Sequence, residues 1–183
     1  MKHIVKDISF REYVELEDHS QYNYYLRYGK IEAEDVFMIG SFLEQTFGFV
    51  KDMQFYCSQG LTWEDFFSSI STVIDKTEKE LSNISLFTLQ KVRLYCIEEI
   101  TKINEIESNF LGHTPTVEEE QADISRFSSY GAFIQFDQLA GGDILKFKRI
   151  EKLKYNFCFT KLKLEADRSN YQQDYNNIVK NKK

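Results

Sequence analysis

Apolar positions recur along most of this chain at spacings of three and four, the period of an α-helix with one buried face. The longest such pattern runs from Glu34 to Ser58. Val36, Ile39, Leu43, Val50, Met53 and Cys57 alternate by three and four, with Thr46 in the remaining slot. This predicts one helix over about 34–58 whose seam faces another helix. Phe37, Phe42, Phe47, Phe49 and Phe55 lie off that seam, and a helix apolar on more than one face is buried on more than one face. Trp63, Phe66, Phe67, Ile70, Val73 and Ile74 form one stripe of a helix from Thr62 to about Glu80. Ser85 opens a second long helix, about 85–109, with Leu89, Val92, Cys96, Ile100, Ile103 and Phe110 on one stripe, widened by Ile97 and Ile106.

Polar punctuation agrees with this reading. Ser9–Glu12 and Thr116–Glu119 have the spacing of capping boxes, and Thr62-Trp63-Glu64-Asp65 places acids in a first helical turn. Shorter helices are expected over about 9–18, 21–28, 116–130 and 171–179. The strongest breaker, Leu111-Gly112-His113-Thr114-Pro115, holds the one proline and suggests a sub-boundary at 111–117 within a single domain, 1–183. Gly141-Gly142-Asp143 reads as a left-handed stop followed by a new N-cap. A helix that is basic and apolar together follows, from Ile144 to about Glu165. The expected fold class is all-α: a multi-helix bundle with two long helices, about 34–58 and 85–109, and a basic C-terminal helix.

Composition sharpens this picture at one point. Among 183 residues there are 16 Phe and 11 Tyr, and a lone bundle has difficulty hiding that many rings; sister copies or a companion chain are expected to cover the remainder. Net charge is −6, but it is unevenly spread. Between Ile144 and Leu164, Lys146, Lys148, Arg149, Lys152, Lys154, Lys161 and Lys163 face Glu151 alone, leaving the first 143 residues strongly acidic. Such asymmetry favours head-to-tail contact between copies or an acidic partner. The interaction residues this points to are Lys146, Lys148, Arg149, Lys152 and Lys154, with Phe37, Phe42, Phe49 and Phe55 as apolar contacts.

Residues that carry chemistry are sparse. Cys57, Cys96 and Cys158 are odd in number, far apart and in apolar surroundings, which suits free thiols in a reducing compartment. His3, His19 and His113 lack partners at ligand spacing, and the phosphate loop, the serine elbow and the zinc-protease helix motif do not occur. The acids Glu118, Glu119, Glu120 and Asp123 suit a helix N-terminus. No catalytic, cofactor or metal residue is assigned. The start of the chain does not read as a signal peptide, and no apolar run is long enough for a membrane span. Phe147, Tyr155, Phe157 and Phe159 interleave with lysines, making 144–164 the one segment suited to nucleic acid.

In the C-terminal third, Phe127, Tyr130 and Gly131 precede Leu139-Ala140-Gly141-Gly142-Asp143; Ile150, Leu153, Tyr155, Phe159 and Leu162 follow, and Tyr171-Gln172-Gln173-Asp174-Tyr175 closes the series. Over residues 122–179 this resembles the small helical assembly proteins of tailed bacteriophages, tail assembly chaperones among them. The resemblance implies a non-enzymatic subunit of an oligomeric ring or connector at the portal and tail. Such a subunit would be made in the host cytoplasm and retained in the virion, with copies of itself and portal, tail or neighbouring ring proteins as partners. A chaperone that leaves before maturation and a helical nucleic-acid-binding or regulatory protein are the alternatives.

Overall fold

The computed structural model describes residues 5–28, 39–113 and 115–180, and the expected contact Phe37 lies outside them. The fold is all-α. Ten α-helices and three short 3-10 turns occur among the described residues: α1 (Phe10–Val14), α2 (Ser20–Tyr28), α3 (Phe47–Ser58), α4 (Trp63–Ile74), α5 (Glu78–Ser82), α6 (Leu86–Leu111), α7 (Val117–Gln121), α8 (Phe133–Ala140), α9 (Phe147–Glu151) and α10 (Tyr155–Lys180). The capping boxes expected at Ser9 and Thr116 are formed, and the helix start expected at Thr62 is a third, each with its N3 carboxylate reaching back to the cap. The chain divides into two compact units, residues 1–40 with 52–100 and residues 41–51 with 101–183. Two of the edges fall inside α3 and α6, and the third precedes the 3-10 turn at Phe42.

The first unit is built on the amphipathic faces of α4 and α6. Phe66, Ile70, Leu81, Leu86, Leu89 and Cys96 are fully buried. Phe10 meets Phe67 edge-on with ring centroids 4.7 Å apart and lies 5.0 Å from Trp63. Arg93 holds the link into α4: its Nε donates to Leu61 O at 3.1 Å and its Nη2 to Gly60 O at 3.3 Å, while its guanidinium lies 5.2 Å from the Trp63 ring centre. Leu61 is buried at φ 39°, so the two hydrogen bonds fix a backbone conformation unusual for a branched residue.

One device starts helices in both units. In the first, Phe10 N donates to Ile84 O at 3.0 Å and Leu86 N to Ile8 O at 2.7 Å, a one-residue antiparallel bridge between Ser9 and Ser85. Asp7, two residues earlier, caps α6 by accepting from Phe87 N at 3.2 Å and from the Ser85 hydroxyl. In the second unit Phe47 N donates to Leu153 O at 2.7 Å and Tyr155 N to Gln45 O at 2.8 Å, bridging Thr46 and Lys154. Glu44, again two residues earlier, accepts from Lys154 Nζ at 2.6 Å and Asn156 Nδ2 at 3.0 Å. The motif Asp7-Ile8-Ser9-Phe10 thus recurs as Glu44-Gln45-Thr46-Phe47.

This second bridge corrects two expected helices. The 34–58 helix is not continuous: residues 39–41 are irregular, Phe42–Glu44 is a 3-10 turn, and α3 begins only at Phe47. Thr46 does not occupy a seam; its hydroxyl accepts from Phe49 N at 3.3 Å and starts α3. The basic 144–165 helix likewise divides into a 3-10 turn (Ile144–Lys146), α9 and α10, with the break at Lys152-Leu153-Lys154. The separate helix expected at 171–179 is the continuation of α10. Three further helices are shorter than expected. The helix expected over 9–18 ends at Val14. The stripe begun at Trp63 ends at Asp75, which adopts φ 51°, and Thr77 caps a new helix. The segment expected to be helical over 116–130 is α7 followed by a 3-10 turn.

Around α10 the second unit buries Phe42, Phe47, Val50, Ile103, Tyr155, Cys158 and Leu162. Gly48 lets α9 approach α3: a Cβ there would lie 2.3 Å from Glu151 Cγ and 3.2 Å from its carbonyl oxygen. Gly141 closes α8 at φ 64°, and Asp143 then accepts from Leu145 N at 3.1 Å, the stop and restart expected at that point.

Candidate association surface

Helix α10 presents two apolar faces. Tyr155, Cys158 and Leu162, spaced three and four apart, form its buried face. The opposite side carries Phe157, Leu164, Tyr171 and Ile178 at intervals of seven, with exposures of 67%, 45%, 68% and 55%. Every residue from Asp167 to Lys180 is exposed. Leu145, 89% exposed, stands beside Ile144 at the turn before α9, and Phe127, Tyr130 and Phe133 are exposed nearer α8. These large apolar side chains open to water make the surface a candidate for association.

The residues singled out from the sequence distribute unevenly over this surface. Phe42 and Phe49 are interior, their rings packed edge-on at 5.2 Å, so they build the core rather than a contact face. Phe42 lies in the 3-10 turn ahead of α3, and Phe49 in the first turn of α3. Phe55 is exposed against Tyr56. Lys154 is held by Glu44, and Lys146 is held by Asp143 at 3.3 Å and by Ala140 O at 3.4 Å. Lys148, Arg149 and Lys152 are exposed. The exposed heptad of α10 was missed; its signal was the seven-residue interval itself, hidden because the polar run after Leu164 reads as the end of a helix.

Beneath α10 lies a buried polar cluster. Lys51 Nζ donates to Glu107 Oε1 at 2.6 Å, and the Tyr155 hydroxyl donates to the same oxygen at 2.5 Å. The ammonium group lies 5.4 Å from the Phe47 ring centre and 5.8 Å from that of Tyr155, a cation–π arrangement. Burial lowers the pKa of Lys51 and raises that of Tyr155; burial also pushes the Cys158 thiol up to about 11. One carboxylate satisfies one ammonium and one hydroxyl here, a geometry that fixes α3, α6 and α10 together within the unit.

A cleft of about 390 Å³ opens between the C-terminal turn of α6, α8 and α10, walled by Phe110, Ile134 and Leu162 and edged by Gln135, Glu165 and Ser169. Gln135 Oε1 is buried without a hydrogen-bond partner. The imidazole at its rim, His113, is engaged with Glu119 at 2.7 Å, and Glu165 is held by Lys161, which keeps its carboxyl below the usual range. No group of three or more His, Cys, Asp or Glu that could hold a metal occurs among the described residues, and no helix among them is long and apolar enough to cross a membrane. In comparisons with known proteins, no family, curated protein or solved structure matches this chain.

Proposed function

We propose that this protein is a non-enzymatic assembly subunit of the tailed-bacteriophage kind its C-terminal third resembles, one member of an oligomeric ring or connector at the portal and tail. The observation that carries the reading is the apolar surface of the second unit, above all the four exposed residues on the outer face of α10. Its work is association. Apolar side chains supply the area removed from water on contact, roughly 25 cal/mol per Å² before the costs of association. Exposed Lys148, Arg149 and Lys152 steer that surface toward the acidic remainder of a neighbouring copy. Light scattering on the full chain is expected to give the mass of a multimer, and mass spectrometry of purified particles to find the polypeptide in them. A stable monomer that never enters particles contradicts the proposal; absence from particles together with co-purification of a long helical tail protein selects the chaperone instead.

A further inference from the structure

We infer that the outer face of α10 pairs with the same face of a second copy, with the two helices parallel. This deepens the assembly reading above and rests on it.

Phe157, Leu164, Tyr171 and Ile178 keep a seven-residue interval over three heptads, which on a straight helix drifts by only about 60° and so leaves them on one outward face. The inner face is already occupied by the core of its own unit. From Asp167 onward the helix touches nothing that shields it, yet this stretch has no Ala or Leu and contains Asn170, Asn176 and Asn177, weak helix formers. A helical segment of about a dozen residues with that composition is marginal in water unless a packed face supports it.

Charge identifies the occupant. Four residues on from the stripe members lie Lys161, Arg168 and Tyr175, which form one flanking row; three residues on lie Thr160, Asp167 and Asp174, which form the other. One flank is therefore basic and the other acidic. When two such faces meet with the helices parallel, rotation about the shared axis brings the basic row of each against the acidic row of the other. When they meet antiparallel, each row meets its own kind. Arg168 of one copy would stand about 1.5 Å along the axis from the level of Asp167 in the other and about 9 Å from that of Asp174, at a rise of 1.5 Å per residue. Within its own helix Lys161 pairs with Glu165 and Asp167 with Lys163 at 3.2 Å; pairing between copies would set Arg168 level with the other copy's Asp167. The same matching of rows holds in any cyclic, parallel arrangement, so it suits a ring as well as a dimer.

The test uses the full chain. K161E/R168E makes both rows acidic, and D167K/D174K makes both basic. Each variant alone is expected to raise the self-association dissociation constant at least about tenfold, while an equimolar mixture restores association. In a Cys57→Ser background, Ile178→Cys is expected to cross-link copy to copy under mild oxidation, because parallel pairing places residue 178 against itself. If Y171E/I178E leaves the wild-type multimer intact, or if association survives in the single-charge variants and is not restored preferentially in the mixture, the pairing is overturned while the assembly reading stands. If the unmodified chain is monomeric at all concentrations, both fall.

Discussion

Glu107→Ala probes the buried cluster on which the second unit is built. The substitution removes the carboxylate that Lys51 and Tyr155 both contact, with the Lys51 side chain 5% and the Glu107 side chain 14% exposed. Removing one partner of a buried ion pair generally destabilises by about 3–5 kcal/mol, because the remaining charge stays desolvated. The freed Tyr155 hydroxyl adds the penalty of an unsatisfied buried donor, about 1–3 kcal/mol where no water reaches it. The two losses share one cavity and do not add in full, so the expected change is about 4 kcal/mol. The pH dependence has a defined sign. Burial already depresses the folded-state pKa of Lys51 below its ordinary 10.5, and losing Glu107 depresses it further. Between the folded value and 10.5 the unfolded chain binds the extra proton, so the stability of the variant rises with pH across that window. Urea denaturation followed by far-UV circular dichroism measures the change. Replacing both charges, K51M/E107L, should recover most of the loss, since the isolated ammonium rather than the missing contact dominates. A Glu107→Ala shift below about 1 kcal/mol, or a double variant no more stable than the single, would refute the reasoning.

Three further outcomes follow from the same structure. Asp7→Ala removes the cap on Phe87 N and the Ser85 hydroxyl and should destabilise the first unit by about 1–2 kcal/mol, seen as a lower urea midpoint of Trp63 fluorescence. Burial raises the Cys96 thiol to about 12 from an ordinary 9.0; the folded chain therefore holds a proton that the unfolded chain loses above pH 9, and stability falls as pH climbs from 9 toward 12. Comparing urea midpoints at pH 8 and 10 should show a shallower fall in Cys96→Val. Gly48→Val places branched carbon where Glu151 now packs and should lower the melting temperature, whereas Gly60→Ala, with open space around it, is limited to backbone strain at φ 101°.

Much of the local structure was legible in the sequence because it depends on neighbours in the chain. The capping boxes at Ser9 and Thr116, the helix start at Thr62, the left-handed Gly141 and the apolar stripe of α6 are decided by residues within a few positions of one another. The breaks at 45–46 and 152–154 were not legible, since neither segment contains glycine or proline. Each is broken by the other: Phe47 N and Tyr155 N spend their hydrogen bonds on Leu153 O and Gln45 O, more than a hundred residues away. Asp75 was hidden for a related reason, because an aspartate in a left-handed conformation leaves no trace in an apolar periodicity that ends at the same place. At the candidate surface, apolar periodicity identified aromatic residues in quantity but could not sort them. Phe42 and Phe49 are interior, while Phe157 and Tyr171 belong to the face of α10 that its own unit leaves open.

Hydrogen exchange along α10 in this chain reports whether its outer face is covered. If copies cover its outer face, the amides of residues 167–180 will be protected, and the protection will weaken on dilution through the dissociation constant while that of residues 155–166 holds. Fast exchange of 167–180 at every concentration, unchanged between dilute and concentrated protein, would contradict the account.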